Sequence, residues 1–293
     1  MEKCYLCPRS CGIDRSKNKG YCNQSGLKVA RVSLHKWEEP IISGSNGSGT
    51  IFFSGCNLKC VYCQNYDVSH GKGKDITPQI LADIFKKIED SGAHNINLVT
   101  PTHFVDHILK AADIYAPKLP VVYNCGGYES LDTLDKMKNF VDIWLPDFKY
   151  SDNSLAKKYS NCNDYFEVCT AALIRMRQLC PKDEIADGLM KKGLIIRHLV
   201  LPNALQNTKS VLQWIAENLS DDTYVSIMGQ YTPFGDAFKF DEINRKLKPL
   251  EYKIAVEYAK KFKLFNSFIQ SLDSASKEFI PNFDENPIDF DSL

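Results

Sequence analysis

The sequence has no apolar run approaching the ~20 residues needed to cross a membrane, and Met1-Glu2-Lys3-Cys4 lacks the apolar core of a secretion signal. A membrane partner is therefore not expected, and a cytoplasmic location is. The chain also has no excess of charge, with 36 Lys plus Arg against 36 Asp plus Glu in 293 residues. Without a net field to gather polyanions, nucleic acid is not an expected partner. There is no internal repeat of fixed period and no low-complexity tract, which leaves an ordinary globular chain. At 44% hydrophobic and 25% charged residues, it is long enough for one α/β barrel-sized domain or two smaller ones.

Cysteine, by contrast, is plentiful, with eleven residues. In a reducing compartment these are better read as metal or cluster ligands than as disulfides. The densest group lies in Gly55-Cys56-Asn57-Leu58-Lys59-Cys60-Val61-Tyr62-Cys63-Gln64-Asn65, directly after the apolar run Thr50-Ile51-Phe52-Phe53. A strand thus delivers three thiols, Cys56, Cys60 and Cys63, into one loop. Thiolates are the usual protein ligands of iron–sulfur clusters, and three of them leave one iron of a four-iron cube without a protein ligand. An incomplete shell suggests chemistry, as an open position does in a catalytic zinc site. The bland alternatives are a zinc knuckle or buried free thiols.

A second group, Cys4, Cys7, Cys11 and Cys22, sits in a turn-rich segment with Pro8, Gly12 and Gly20. Four sulfurs suit a closed shell around zinc, a single iron or a fully ligated cluster, and such a metal would order a segment with little apolar surface of its own. The residues leave the choice of metal open.

Apolar and polar residues alternate over Lys28–His35, as in an edge strand or hairpin. The Ser45–Gly49 stretch lacks the lysine and spacing of a P-loop and reads as a turn at the base of the fold. Thereafter strands at Ile96–Val99, Pro120–Tyr123, Asp142–Leu145, Leu194–Leu201 and Tyr224–Met228 alternate with helices near 77–92, 103–115, 130–139, 164–179 and 207–219. Together with Ile51-Phe52-Phe53 this pattern predicts six βα units on a parallel sheet. The fold class expected is α/β, an incomplete (β/α)6 TIM-type barrel with a small N-terminal cysteine-rich metal-binding segment. Residues 1–48 would form that segment and its hairpin, 49–272 the barrel, and 273–293 an acidic tail; Pro249–Leu264 reads as a closing helix, with a last strand beginning at Leu264-Phe265.

Function in such barrels sits at the carboxyl ends of the strands. That rule selects Thr100-Pro101-Thr102-His103, Asn124-Cys125-Gly126-Gly127-Tyr128, Pro146-Asp147-Phe148-Lys149, Arg197-His198 through Pro202-Asn203, and Gly229-Gln230-Tyr231. Asp147 with Lys149 could equally be a strand-end ion pair, and Arg197 could tie down the rim. Cys125 reads as a hydrogen-atom donor or an ordinary buried thiol, and Cys162, Cys169 and Cys180 carry no assigned role.

The Cys-x3-Cys-x2-Cys spacing resembles the signature of the radical S-adenosylmethionine (SAM) superfamily. The words Gly-Thr-Ile-Phe-Phe-Ser-Gly-Cys, Cys-Gln-Asn and the opening Cys-x2-Cys-Pro-Arg-x-Cys-Gly are similar to its pyruvate formate-lyase-activating-enzyme branch, of PflX type. The resemblance implies a 4Fe-4S cluster on Cys56, Cys60 and Cys63, with SAM chelating the fourth iron and yielding a 5′-deoxyadenosyl radical. It places Tyr62 against adenine, and Thr100 and Thr102 where an activating enzyme has its amino-group-binding Gly-Gly-Glu. Asp147 and Lys149 would meet the ribose and carboxylate, Arg197 and His198 match Arg-His-Leu-Val-Leu-Pro, and Asn124 replaces an aspartate near a cation site. Glu38 and Glu39 match a Glu-Glu-Pro word and would be polar residues near the cavity or solvated loop carboxylates; His35 reads as structural.

Implied partners are SAM, an electron donor such as flavodoxin or ferredoxin, and a glycyl-radical protein or peptide as substrate. The low-potential cluster implies an anaerobic or micro-oxic host. Another peptide or a small molecule as substrate, a redox relay without SAM chemistry, and a metal-binding interaction protein are the alternatives.

Overall fold

The computed structural model describes residues 3–270 together with Leu272, Phe283, Pro287 and Ile288. Its elements run β1 (Lys28–His35), α1 (Pro40–Ser43), β2 (Ser48–Phe53), α2 (Tyr66–Ser69), β3 (Lys74–Asp75), α3 (Pro78–Asp90) and β4 (Ile96–Val99). They continue with α4 (Val105–Ile114), β5 (Val121–Cys125), α5 (Leu131–Met137), β6 (Ile143–Pro146), α6 (Asn153–Ser160) and α7 (Tyr165–Leu179). Then come β7 (Glu184–Ala186), β8 (Leu189–Leu199), α8 (Leu205–Asn218), β9 (Tyr224–Met228), α9 (Pro249–Lys261) and β10 (Ser267–Ile269).

One sheet carries the order β10-β9-β8-β6-β5-β4-β2-β1-β3. From β2 to β10 every pairing along that path is parallel, while β1 runs antiparallel to β2 and to β3. Among the described residues the sheet has two ends, so the barrel they form is open as expected. It gains a short seventh parallel strand at Ser267–Ile269, a few residues beyond the predicted start.

Each helix forms where its sequence supplies an apolar stripe. In α3, Leu81, Ile84, Phe85 and Ile88 are buried, Pro78 sits at the first helical position, and the Thr77 side chain accepts from Ile80 N at 3.3 Å. The short elements α1, α2 and β3 were not anticipated, nor were α6 and the β7–β8 hairpin. α6 is short, and its signal is the Asp152 cap that accepts from Ser154 N. The β7–β8 hairpin turns on Asp187-Gly188, both at positive φ, which is the Asp-Gly pair favoured in two-residue hairpins.

Two larger hydrophobic clusters and a small third one of Ala30, Phe52 and Val68 make up the core among the described residues. The first joins the outer faces of the strands to the helices. The second packs Ile42 of α1 against Val122, Ile143, Leu145, Met190 and Ile195, so the segment between β1 and β2 folds back into the interior and closes its base. Asn95 Nδ2 holds that segment by donating to Ile42 O at 2.8 Å.

The N-terminal segment lies over the strand-end loops. Arg9 Nε donates to Asn57 O at 2.8 Å and its Nη1 to Asn161 O at 2.7 Å, while Ser130 and Thr133 hydroxyls donate to Leu6 O. Gly55, at φ +82°, makes that approach possible, since a Cβ there would stand 2.3 Å from Cys22 O. The acidic tail anticipated over 273–293 lies outside the described residues except for Phe283, Pro287 and Ile288. Phe283 packs edge-on to Phe52 at 5.3 Å, and Pro287 O accepts from Val32 N.

Candidate active site

A cavity of about 960 Å³ occupies the barrel interior and opens at the strand ends, at the upper end of the usual size for ligand sites. Cys56, Cys60 and Cys63 line it, together with Tyr62, Thr100, Asn124, Asp147, Lys149 and Arg197. Nine sequence-selected residues from five separate stretches thus share one space. Thr102 and His198 do not line it. Thr102 is buried and donates to Glu129 Oε1 at 2.8 Å.

His198 is carried to the opposite face of β8, because successive strand residues alternate sides and Arg197 takes the inward one. Its Nδ1 donates to Phe148 O at 2.7 Å, which leaves Nε2 to accept from Thr208 Oγ1 at 3.0 Å. Burial lowers its pKa to about 4, and it stays neutral. His198, expected among the cofactor-binding residues, therefore does not reach the cavity.

The cysteine loop is held by local bonds. Cys56 Sγ accepts from Leu58 N at 3.3 Å, and Cys60 Sγ accepts from Ser160 Oγ at 3.0 Å. Behind Ser160 a line of hydroxyls continues through Tyr150 at 2.8 Å to Tyr62 at 2.6 Å. The Tyr62 ring is therefore fixed in the cavity wall by the same network that touches Cys60.

Burial, then the neighbouring Cys60 and Cys56, push the Cys63 thiol up to about 12. Crowded thiols of this kind deprotonate when a cationic centre binds them. Three sulfurs from one loop, facing one cavity, fit an iron–sulfur cluster in number and chemistry. Among the described residues no group of three such side chains is already gathered as a metal shell.

Below the loop lies a charged network. Arg197 Nε donates to Asp147 Oδ1 at 2.9 Å, Nη1 to Glu38 Oε2 at 3.0 Å and Nη2 to Asn124 Oδ1 at 2.5 Å. Lys149 Nζ donates to Asp147 Oδ2 at 2.5 Å. Burial would raise Asp147, but Lys149 and Arg197 more than offset it and hold the carboxyl below its ordinary value. Glu38 and Glu39 are raised, because burial outweighs the pull of Arg197. Glu38 and Glu39, left undecided between cavity and solvent, both line the cavity.

Thr100 adopts φ +59°, costly for a β-branched residue by roughly 1–3 kcal/mol, and is held there by its N–H to Asn124 O at 2.8 Å. Glu129 was missed. Its carboxylate is 2% exposed and accepts from Thr102 and from Tyr123 OH at 2.9 Å, and burial raises it to about 7. The only sequence signal was a carboxylate two residues past the Gly126-Gly127 turn.

In the N-terminal segment Cys7 and Cys22 are buried, and Cys4 and Cys11 partly so. Arg15 Nη2 donates to Cys22 Sγ at 3.3 Å and Tyr21 N to Cys11 Sγ at 3.3 Å. Arg15 also donates to His103 O, tying the segment to the end of β4. No helix among the described residues is long and apolar enough to cross a membrane.

Comparison with known proteins bears on this arrangement. The pattern described as Radical SAM superfamily matches residues 50–190. The uncharacterized protein MJ0674 of Methanocaldococcus jannaschii is 34% identical over 275 residues, covering 90% of this chain and 76% of that protein. Among solved structures, methylornithine synthase (PylB) superposes with a TM-score of 0.53 at 17% identity, over 82% of this chain and 65% of that one. Streptococcus suis SuiB bound to precursor peptide SuiA gives 0.52 at 14%, over 78% and 49%. The chain thus spans about half to two thirds of those solved proteins, and the likeness to them is one of fold.

Proposed function

Because the chain belongs to the radical SAM superfamily, whose members imply a 4Fe-4S cluster and SAM, we propose that it is an enzyme that cleaves SAM reductively for hydrogen-atom abstraction. The observation that carries this reading is that the thiols of Cys56, Cys60 and Cys63 open onto the same cavity as Asp147, Lys149 and Arg197. When bound, cluster and SAM supply the chemistry: one electron breaks a sulfonium C–S bond, releasing methionine and a 5′-deoxyadenosyl radical.

The protein's part is placement. The thiols of Cys56, Cys60 and Cys63 would hold the cluster. Tyr62, pinned by Tyr150, offers its ring as a wall for adenine, and the acceptor groups at Thr100 and Asn124 border the same space. Lys149 offers a cation for a carboxylate, and Asp147, oriented by Lys149 and Arg197, an acceptor for ribose hydroxyls. The charged pairs are already arranged before ligand arrives, so little reorganisation is needed.

The finer reading is an activase-like role of PflX type, with a glycine of a partner protein as the hydrogen donor and flavodoxin or ferredoxin as the source of the electron. Supporting it are the flanking words of the cysteine loop and the open sheet of the barrel. A second metal on Cys4, Cys7, Cys11 and Cys22 belongs to the same reading. Metal analysis of a Cys56/Cys60/Cys63→Ala protein tests it: residual stoichiometric zinc or iron supports the site, and none removes it.

The test of the SAM site is electron paramagnetic resonance of the reduced, reconstituted protein. SAM should alter the cluster signal, and Lys149→Ala should require at least tenfold more SAM to do so. An unaltered signal at saturating SAM contradicts the reading.

A further inference from the structure

Among the residues that line the cavity, three carry a buried side-chain oxygen with no hydrogen-bond partner among the described residues. Glu39 is 3% exposed, and its Oε2 has no hydrogen-bond partner among the described residues. The same holds for Ser226 Oγ, whose side chain has no exposed surface, and for Gln270 Oε1. All three residues line the cavity. Ser226 neighbours the Glu39 carboxyl, towards which its hydroxyl can donate while its lone pairs stay free to accept. Parallel pairing sets Phe268 beside Ser226, and side chains alternate along a strand, so Gln270 falls on the face of Ser226, one step further along. Buried polar atoms without partners are few in folded proteins and ask for a water, an ion or a ligand.

The ion pairs explain why Glu39 is left over. Arg197 spends its three donor nitrogens on Asp147, Glu38 and Asn124, and Lys149 is engaged by Asp147. Two interior cations therefore face three interior carboxylates, Glu38, Glu39 and Asp147. His35, also beside Glu39, is kept neutral by burial, and Lys36 at the rim is exposed. A buried carboxylate without a counter-charge is costly. Burial therefore pushes Glu39 towards its neutral form despite the pull of Arg197, and a cation reaching this wall of the cavity would favour the charged carboxylate.

We propose that Glu39, Ser226 and Gln270 form a subsite for a protonated primary amine of the substrate, an ammonium whose three N–H donors match the three acceptor oxygens. The inference rests on the cavity being the SAM-radical site and adds the chemical class of its substrate. Under that reading the amino group of SAM is taken up at the cluster, so the Glu39 wall is left for a second molecule. A lysine-like side chain and a free amine share the chemistry and would enter alike.

The test uses the reconstituted full chain, saturated with SAM and without reductant, titrated calorimetrically with n-butylammonium chloride, with n-butanol and potassium chloride as controls. Expected is saturable amine binding, weakened at least tenfold by Glu39→Gln and about threefold by Ser226→Ala, with butanol indifferent to both variants. Gln matches Glu in shape, and thermal melts of the two variants report their folding independently. Equal amine affinity in wild type and in a folded Glu39→Gln overturns the proposal, as does butanol binding as well as the amine. Potassium binding as tightly, and lost with Glu39, replaces it with a metal-cation site. A protein that binds amine through Glu39 but makes no 5′-deoxyadenosine sinks the radical reading and keeps the subsite. The reverse result sinks the subsite alone.

Discussion

Replacing Arg197 by Met removes the cation shared by Glu38, Asp147 and Asn124 while roughly keeping the volume of the side chain. The three ionic side chains are only 13%, 10% and 16% exposed for Arg197, Glu38 and Asp147, so the rule for buried rather than surface pairs applies. Breaking a buried pair by deleting one partner costs about 3–5 kcal/mol, because the other charge is left uncompensated. At roughly 2 °C per kcal/mol for a chain of this size, Arg197→Met should melt about 6–10 °C below wild type at pH 7.5. The cost arises from ionised carboxylates, and it must therefore depend on pH. Without the guanidinium both carboxyl pKa values rise, so the variant folds with Glu38 and Asp147 protonated at acid pH. The deficit should shrink as the pH falls towards 5 and grow as it rises above. Melting of the reconstituted protein followed by circular dichroism at both pH values is the assay. A deficit under about 2 °C at pH 7.5, or one that is larger at pH 5, would refute the account of this network.

Ser160→Ala removes the hydroxyl that donates to Cys60 Sγ. With an ordinary hydrogen bond contributing about 0.5–1.5 kcal/mol, the cluster potential should fall by roughly 20–60 mV in a redox titration monitored by paramagnetic resonance, and a rise would contradict the donor role. Glu129, raised to about 7 by burial, binds its proton more tightly folded than unfolded. It therefore contributes stability that is present below its unfolded pKa of about 4.3 and is lost as the pH climbs through 7. Denaturant titrations of Glu129→Gln should show roughly 3 kcal/mol less loss of stability between pH 5 and pH 8 than wild type; identical slopes would place the titration elsewhere.

The legible parts of this fold were those with a strong local signal. Leu81, Ile84, Phe85 and Ile88 announce α3, and the apolar runs of β2 and β8 announce buried parallel strands. The cysteine loop was legible because three thiols in eight residues have few bland explanations. Strand ends located Asn124, Asp147, Lys149 and Arg197 without knowledge of their partners. What the pattern could not carry was the side each residue takes and what meets it there.

His198 is adjacent in sequence to Arg197 but opposite in space, and a single step along β8 decides between cavity and helix. The sequence left Glu38 and Glu39 open between cavity and solvent, yet their segment folds into the barrel, and Glu38 meets Arg197 across 159 positions of sequence. Glu129 shows the same limit. A lone carboxylate after a glycine turn looks solvated until Thr102, Tyr123 and the N-terminal segment bury it. Long-range closure, rather than local propensity, determined these residues.

The central claim is that Cys56, Cys60 and Cys63 hold a cluster that cleaves SAM. Mass-spectrometric measurement of 5′-deoxyadenosine from anaerobically reconstituted protein, SAM and dithionite tests it most directly, beside a Cys56/Cys60/Cys63→Ala variant. The account predicts product from the wild type and none from the variant. A wild type loaded with iron and sulfide that yields no 5′-deoxyadenosine, or a variant that yields as much, would contradict it.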